Sequence, residues 1–101
     1  MTTMRQLVGE VLRARRVAEG LTLRDVSAKA RVSLGYISEV ERGQKEPSSE
    51  LLAALARALE IPLSQVLLDV SAMLALEEAV DLSVASISSI SPASDVEASA
   101  A

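Results

Sequence analysis

Ser33, Ser38, Glu39 and Arg42 fall on one outward side of a short helical run, SLGYISEVER, whose other side carries Ile37 and Val40. Hydroxyls donate or accept, a carboxylate at neutral pH only accepts, and a guanidinium only donates. Such a set suits nucleobase edges and phosphate oxygens. The natural partner of Glu39 is a cytosine amino group, and repulsion from nearby phosphates sharpens that choice. The alternative for Glu39 is a pair with a neighbouring arginine. Leu34 offers an apolar contact to a thymine methyl. Gly35 costs a helix about 1 kcal/mol relative to Ala; it either admits close approach of the backbone to a duplex or is a neutral position. Tyr36 and Arg42 suit phosphates better than bases.

Other chemistries lack their residues. The chain has no His and no Cys, so histidine acid–base catalysis, thiol nucleophiles and Cys/His metal sites are excluded. There is no Gly-rich phosphate loop and no cluster of carboxylates on one predicted face. An enzyme is not expected, and neither is a cofactor. No stretch approaches the ~20 apolar residues of a membrane helix and no signal peptide is evident, so a cytoplasmic protein without membrane contact is expected.

The elements that must hold these groups are all helical. Leu7 to Glu19 reads as a first helix with Val8, Val11 and Leu12 inward and Gly20 at its end. Arg13, Arg15 and Arg16 crowd its second half, where cations suit the helix dipole. Met1 to Gln6 reads as a loose arm, from which Arg5 would reach a phosphate or minor groove. Thr22, with Asp25 three positions on, is an N-cap for a second helix carrying Val26 and Ala30 on one face. Arg31 and Val32 alone separate that helix from Ser33, the cap of the third. Helices joined so tightly cross steeply and leave one face of the later one open. Ser48 caps a fourth helix with Leu51, Leu52, Leu55, Ala56 and Leu59 as its stripe, and Pro62 opens a fifth with Val66, Leu67 and Val70.

Gly20-Leu21-Thr22, Val26-Ser27, Ala30-Arg31-Val32-Ser33, Tyr36-Ile37-Ser38, Glu41-Arg42-Gly43 and Pro47-Ser48 follow one another in an order and spacing that resembles the Cro/cI-type, or XRE, helix-turn-helix family. The likeness runs over roughly residues 5–68. Within the family the chain is most similar to the actinobacterial regulators of Clp protease genes, the ClgR type. The resemblance implies an all-α, five-helix lambda-repressor-like domain whose third helix enters the major groove. It implies phosphate clamps at the start of the second helix (Thr22, Leu23, Arg24) and after the third (Gln44, Lys45). Many relatives carry Gln at the position of Leu23 and use it against DNA, which Leu23 cannot do. The family often pairs an arginine at the position of Arg16 with the glutamate of Glu-Arg-Gly, here Glu41. It commonly has Gly or Asn where this chain has Arg31 and Glu60, at sites that often need positive φ; a side chain there implies a different backbone or strain of roughly 1–2 kcal/mol.

Charge divides the chain. Residues 1–68 hold all ten Lys and Arg against eight acids, a balance of +2, whereas residues 69–101 hold six acids and no base. The acidic part lowers non-specific DNA affinity, steers partners, or keeps the chain soluble. The boundaries drawn from this are a DNA-binding domain over 1–69, a sixth helix over 70–82 and a disordered Ser/Ala-rich tail over 83–101. Val70, Met73, Leu74 and Val80 on the sixth helix are expected to pair two subunits, or else to fold back on their own. Ala100 and Ala101 resemble the small apolar ends read by Clp-type proteases.

The expectation is therefore a homodimeric transcription regulator binding a palindromic operator, and by resemblance an activator of protease and stress genes. The alternative is an antitoxin-type autorepressor whose C-terminal part binds a protein toxin; a pure interaction adaptor is a third reading.

Overall fold

Thr3 caps the first helix, which begins at Met4 and not at Leu7, in the computed structural model, which describes residues 2–89 and the side chains of residues 2–83. The Thr3 hydroxyl accepts from the Gln6 amide at 3.3 Å, and the Gln6 side chain accepts from the Thr3 amide at 2.9 Å. This reciprocal capping satisfies two otherwise orphaned amides. Helix α1 (Met4–Ala18) therefore starts early, and the loose arm expected over residues 1–6 is corrected: Arg5 sits in the first turn. The apolar stripe starts at Leu7, so hydrophobic periodicity alone places the start too late.

Four more helices follow, and no strand occurs among the described residues: α2 (Leu23–Ala30), α3 (Leu34–Glu41), α4 (Ser49–Ala58) and α5 (Leu63–Ser89). Thr22, Ser33 and Ser48 cap α2, α3 and α4 as their residue types predict, each hydroxyl accepting the amide three residues on.

One core holds them. Leu7, Val8, Val11 and Leu12 of α1 meet Val26 of α2, Ile37 and Val40 of α3, Leu55, Ala56 and Ala58 of α4, Leu59, and Val66 and Val70 of α5. Fully burying one such Val, Ile or Leu contributes about 1.5–3 kcal/mol. Leu51 and Leu52 are only half-buried, with Leu52 packed against the edge of this core. Arg15 braces α1 against α5: its Nε donates to Asp69 Oδ2 at 2.6 Å, and Gln65 donates to the other oxygen at 2.9 Å. The Thr2 amide donates to Glu77 Oε1 at 3.1 Å, tying the start of the described chain to the same helix.

The C-terminal expectations need correction. The sixth helix drawn over 70–82 is continuous with the fifth, and the helix runs on through residues 83–89 that were expected to be disordered. No Gly or Pro lies between Leu63 and Ser89, so nothing stops propagation. Val70 belongs to the subunit's own core, Met73 and Leu74 pack partly against it, and Val80 is exposed. Of Val66, Leu67 and Val70, expected inward together, Val66 and Val70 are buried and Leu67 is exposed. Ala100 and Ala101 lie outside the described residues. No single described helix is long and apolar enough to cross a membrane.

Candidate nucleic-acid interface

The junction between α2 and α3 is fixed by Ser27. Its backbone carbonyl accepts the amide of Val32 at 3.3 Å, and its hydroxyl donates to the carbonyl of Val32 at 2.6 Å. Between them Arg31 adopts φ 58°, ψ 44°, the left-handed region. Glu60 after α4 does the same at φ 57°. Both sites expected to need positive φ have it, so the domain carries the strain of two side chains there, roughly 1–2 kcal/mol each. Ser33 then caps α3, with its hydroxyl accepting the Tyr36 amide at 3.2 Å.

Three contacts hold the inner side of α3. Ile37 and Val40 are buried in the core. Gly9 lets α1 and the end of α3 touch backbone to backbone: a Cβ at Gly9 would lie 2.5 Å from the Val40 carbonyl oxygen and 2.6 Å from that of Glu41. Beside it, Arg16 Nε donates to Glu41 Oε2 at 2.8 Å and Nη2 to Oε1 at 3.0 Å, while Nη1 donates to the Leu21 carbonyl at 3.0 Å. The two side chains are 14% and 7% exposed. The pair implied by the family resemblance is thus present, bidentate and largely buried, and the hydrogen bond to Glu41 raises the Arg16 pKa above its ordinary value. The helix ends in a turn at Gly43, φ +74°, where a Cβ would meet Gln6 Cγ at 2.7 Å.

The outer side is open. Ser33, Leu34 and Gly35 are exposed, and Ser38 and Glu39 are half-buried. A Cβ on Gly35 would meet nothing within 4 Å, so no packing within the chain requires glycine there. Tyr36 packs its ring partly against the core. Arg42 does not extend freely: Nη1 donates to the Ser38 hydroxyl and Nη2 to Gln44 Oε1, so these three side chains are brought together. Glu39 takes part in none of the ion pairs among the described residues, which are Arg15–Asp69, Arg16–Glu41 and Lys29–Glu60. The anticipated alternative, a Glu39–arginine pair, is therefore absent there.

At the start of α2 one expectation changes. The Thr22 amide donates to Asp25 Oδ2 at 2.8 Å and the Thr22 hydroxyl accepts from the Asp25 amide at 3.1 Å. The Thr22 amide foremost, and the Thr22 hydroxyl after it, hold the Asp25 carboxyl below its ordinary pKa. The Thr22 amide is thus already used, and the exposed Arg24 remains for an anion. Gln44 and Lys45 are exposed after α3. No group of three or more Asp, Glu, His or Cys side chains among the described residues gathers to hold a metal ion.

Residue-by-residue reading of the sequence missed Gly9 and the Arg15–Asp69 brace. Nothing local marks either one, because each acquires meaning from an element far away in the chain.

Comparisons with known proteins agree with this arrangement. Residues 12–66 match the helix-turn-helix family HTH_3. The chain is 59% identical over 75 residues to the transcriptional regulator ClgR of Mycobacterium tuberculosis, covering 74% of this chain and 67% of that one. Its fold resembles the crystal structure of the clp gene regulator ClgR from Corynebacterium glutamicum with a TM-score of 0.76 and 42% identity, over 87% of this chain and 95% of that one. The restriction-modification controller protein C.AhdI from Aeromonas hydrophila is similar at a TM-score of 0.60 and 31% identity, over 61% and 94% of the two chains.

Proposed function

The chain belongs to the helix-turn-helix family of the XRE type, sequence-specific DNA-binding transcription regulators that include the similar ClgR proteins, and from that premise we propose that it activates genes of the Clp protease and of the stress response. It is a regulator and not an enzyme, as its relatives are.

The observation that carries the reading is the contrast between the two sides of α3. Its inner side is clamped by Ile37, Val40 and the Arg16–Glu41 pair, whereas Ser33, Leu34 and Gly35 face solvent. In the proposed complex α3 lies in the major groove. Ser33, Leu34, Ser38 and Glu39 read base edges, with Glu39 accepting from cytosine. Thr22, Arg24, Tyr36, Arg42, Gln44 and Lys45 hold the sugar-phosphate backbone.

The outer side of α3 carries a single cation, Arg42, so one subunit makes few strong contacts. Two subunits on a palindromic operator, with half-sites about one helical turn apart, supply the missing affinity. The exposed Leu76 and Val80 on the distal half of α5 continue the line of Met73 at three- and four-residue spacing, a seam suited to a second α5. The names of the ClgR relatives support the gene class.

In vitro transcription from Clp protease promoters, with and without the purified chain, tests the proposal. Activation that depends on an intact α3 is expected; unchanged or reduced transcript overturns the activator role.

A further inference from the structure

Four described residues adopt positive φ, and two of them, Gly20 and Gly43, are glycines for which that conformation carries no penalty. Arg31 and Glu60 are the exceptions. The Glu60 carboxylate meets Lys29 Nζ at 3.5 Å, so its side chain has a use within the subunit. The exposed Arg31 side chain has no hydrogen-bond or ion-pair partner among the described residues. Yet the two bonds between Ser27 and Val32 enforce the left-handed turn. A glycine would sit there without strain. A side chain retained in a strained, over-determined conformation points to a role outside the subunit's own packing.

The position indicates that role. Arg31 lies two residues before Ser33, the cap of α3, so its Cα is within about 7.6 Å of that of Ser33. If the start of α3 enters a major groove, the flanking phosphates pass within reach of a guanidinium at this turn. We propose that Arg31 is a phosphate-binding residue, a cation carried on the strained turn beside the recognition helix, with the phosphodiester of duplex DNA as its ligand. This rests on the reading that the outer side of α3 meets DNA. It supplies a cation next to a face that otherwise has Arg42 alone.

The test uses the full chain and a duplex of about three helical turns, selected by the wild-type protein from a random pool. Affinity is measured across a salt series, and thermal stability is measured in parallel. Arg31→Gly relieves the turn and removes the charge. It is expected to melt about 4–8 °C higher while binding several-fold more weakly, with the slope of log affinity against log salt reduced by about one. Arg31→Gln keeps a side chain at the turn and loses the charge, so it is expected to show the same loss of slope without the gain in melting temperature. Glu60→Gly is expected to melt higher with unchanged affinity and slope. Wild-type affinity and slope in both Arg31 variants overturn the assignment while leaving the DNA-binding reading intact. Absence of any salt-dependent duplex binding by the wild type overturns both.

Discussion

Arg16 of α1 grips Glu41, the last residue of α3, through two parallel hydrogen bonds of 2.8 and 3.0 Å with both side chains largely buried. The pair fixes the end of α3 against α1. Removing one partner strands the other charge in a site with little water, which costs about 3–5 kcal/mol. Arg16→Ala and Glu41→Ala should each lose about that much in urea denaturation. An Arg16→Met/Glu41→Leu double variant should lose less than the sum of the two, because neither charge is left alone.

Gly9 and Gly35 make opposite predictions from one observation. A methyl at Gly9 strikes the carbonyls of Val40 and Glu41, and backbone on both sides leaves little to yield. Gly9→Ala should lose about 1–3 kcal/mol of stability and weaken DNA binding by displacing α3. A methyl at Gly35 meets nothing. Gly35→Ala should gain up to about 1 kcal/mol, and should still bind the operator more weakly if backbone approaches DNA there. Calorimetry beside an affinity measurement separates the two effects.

These glycines also mark where sequence reading succeeds and stops. The caps at Thr22, Ser33 and Ser48 were legible because a hydroxyl satisfies an amide three residues on, a local rule. The Arg16–Glu41 pair was legible through family resemblance and not through residue pattern. Thr3 escaped notice because its partner Gln6 lies outside the apolar stripe. Gly9 is a helix-interior glycine until α3 arrives against it. The charge balance groups Asp69 with the acidic C-terminal part, whereas it braces α1 through Arg15. Helical periodicity marks the outward set on α3, whereas the closing of Arg42 onto Ser38 and Gln44 depends on rotamers that no spacing specifies.

Acid should loosen the domain. The bond from Arg15 holds the Asp69 carboxyl below its ordinary value of 3.8, and bonds from Thr2 act likewise on Glu77. A carboxylate with a depressed folded-state pKa adds stability above its unfolded pKa and loses it as pH falls through the folded value. The urea midpoint should therefore hold near neutrality and fall below about pH 4. Asp69→Asn should start less stable and show a shallower fall.

The distal half of α5 should govern assembly without governing folding. Leu76 and Val80 are exposed, whereas Val70 is in the core. Leu76→Asp/Val80→Asp should sediment as a monomer, with helix content and melting close to the wild type at low concentration, and should bind a single half-site as the wild-type monomer does. Val70→Asp should unfold the domain. A double variant that still sediments as a dimer would move the seam elsewhere.

The central claim is that the outer side of α3 reads bases, and selection of duplexes from a random pool by wild type and by Glu39→Ala tests it most directly. The account predicts that the variant keeps binding but loses its preference at one symmetric base pair in each half-site, a cytosine in the wild-type profile. An unchanged profile, or uniform weakening at every position, would contradict it.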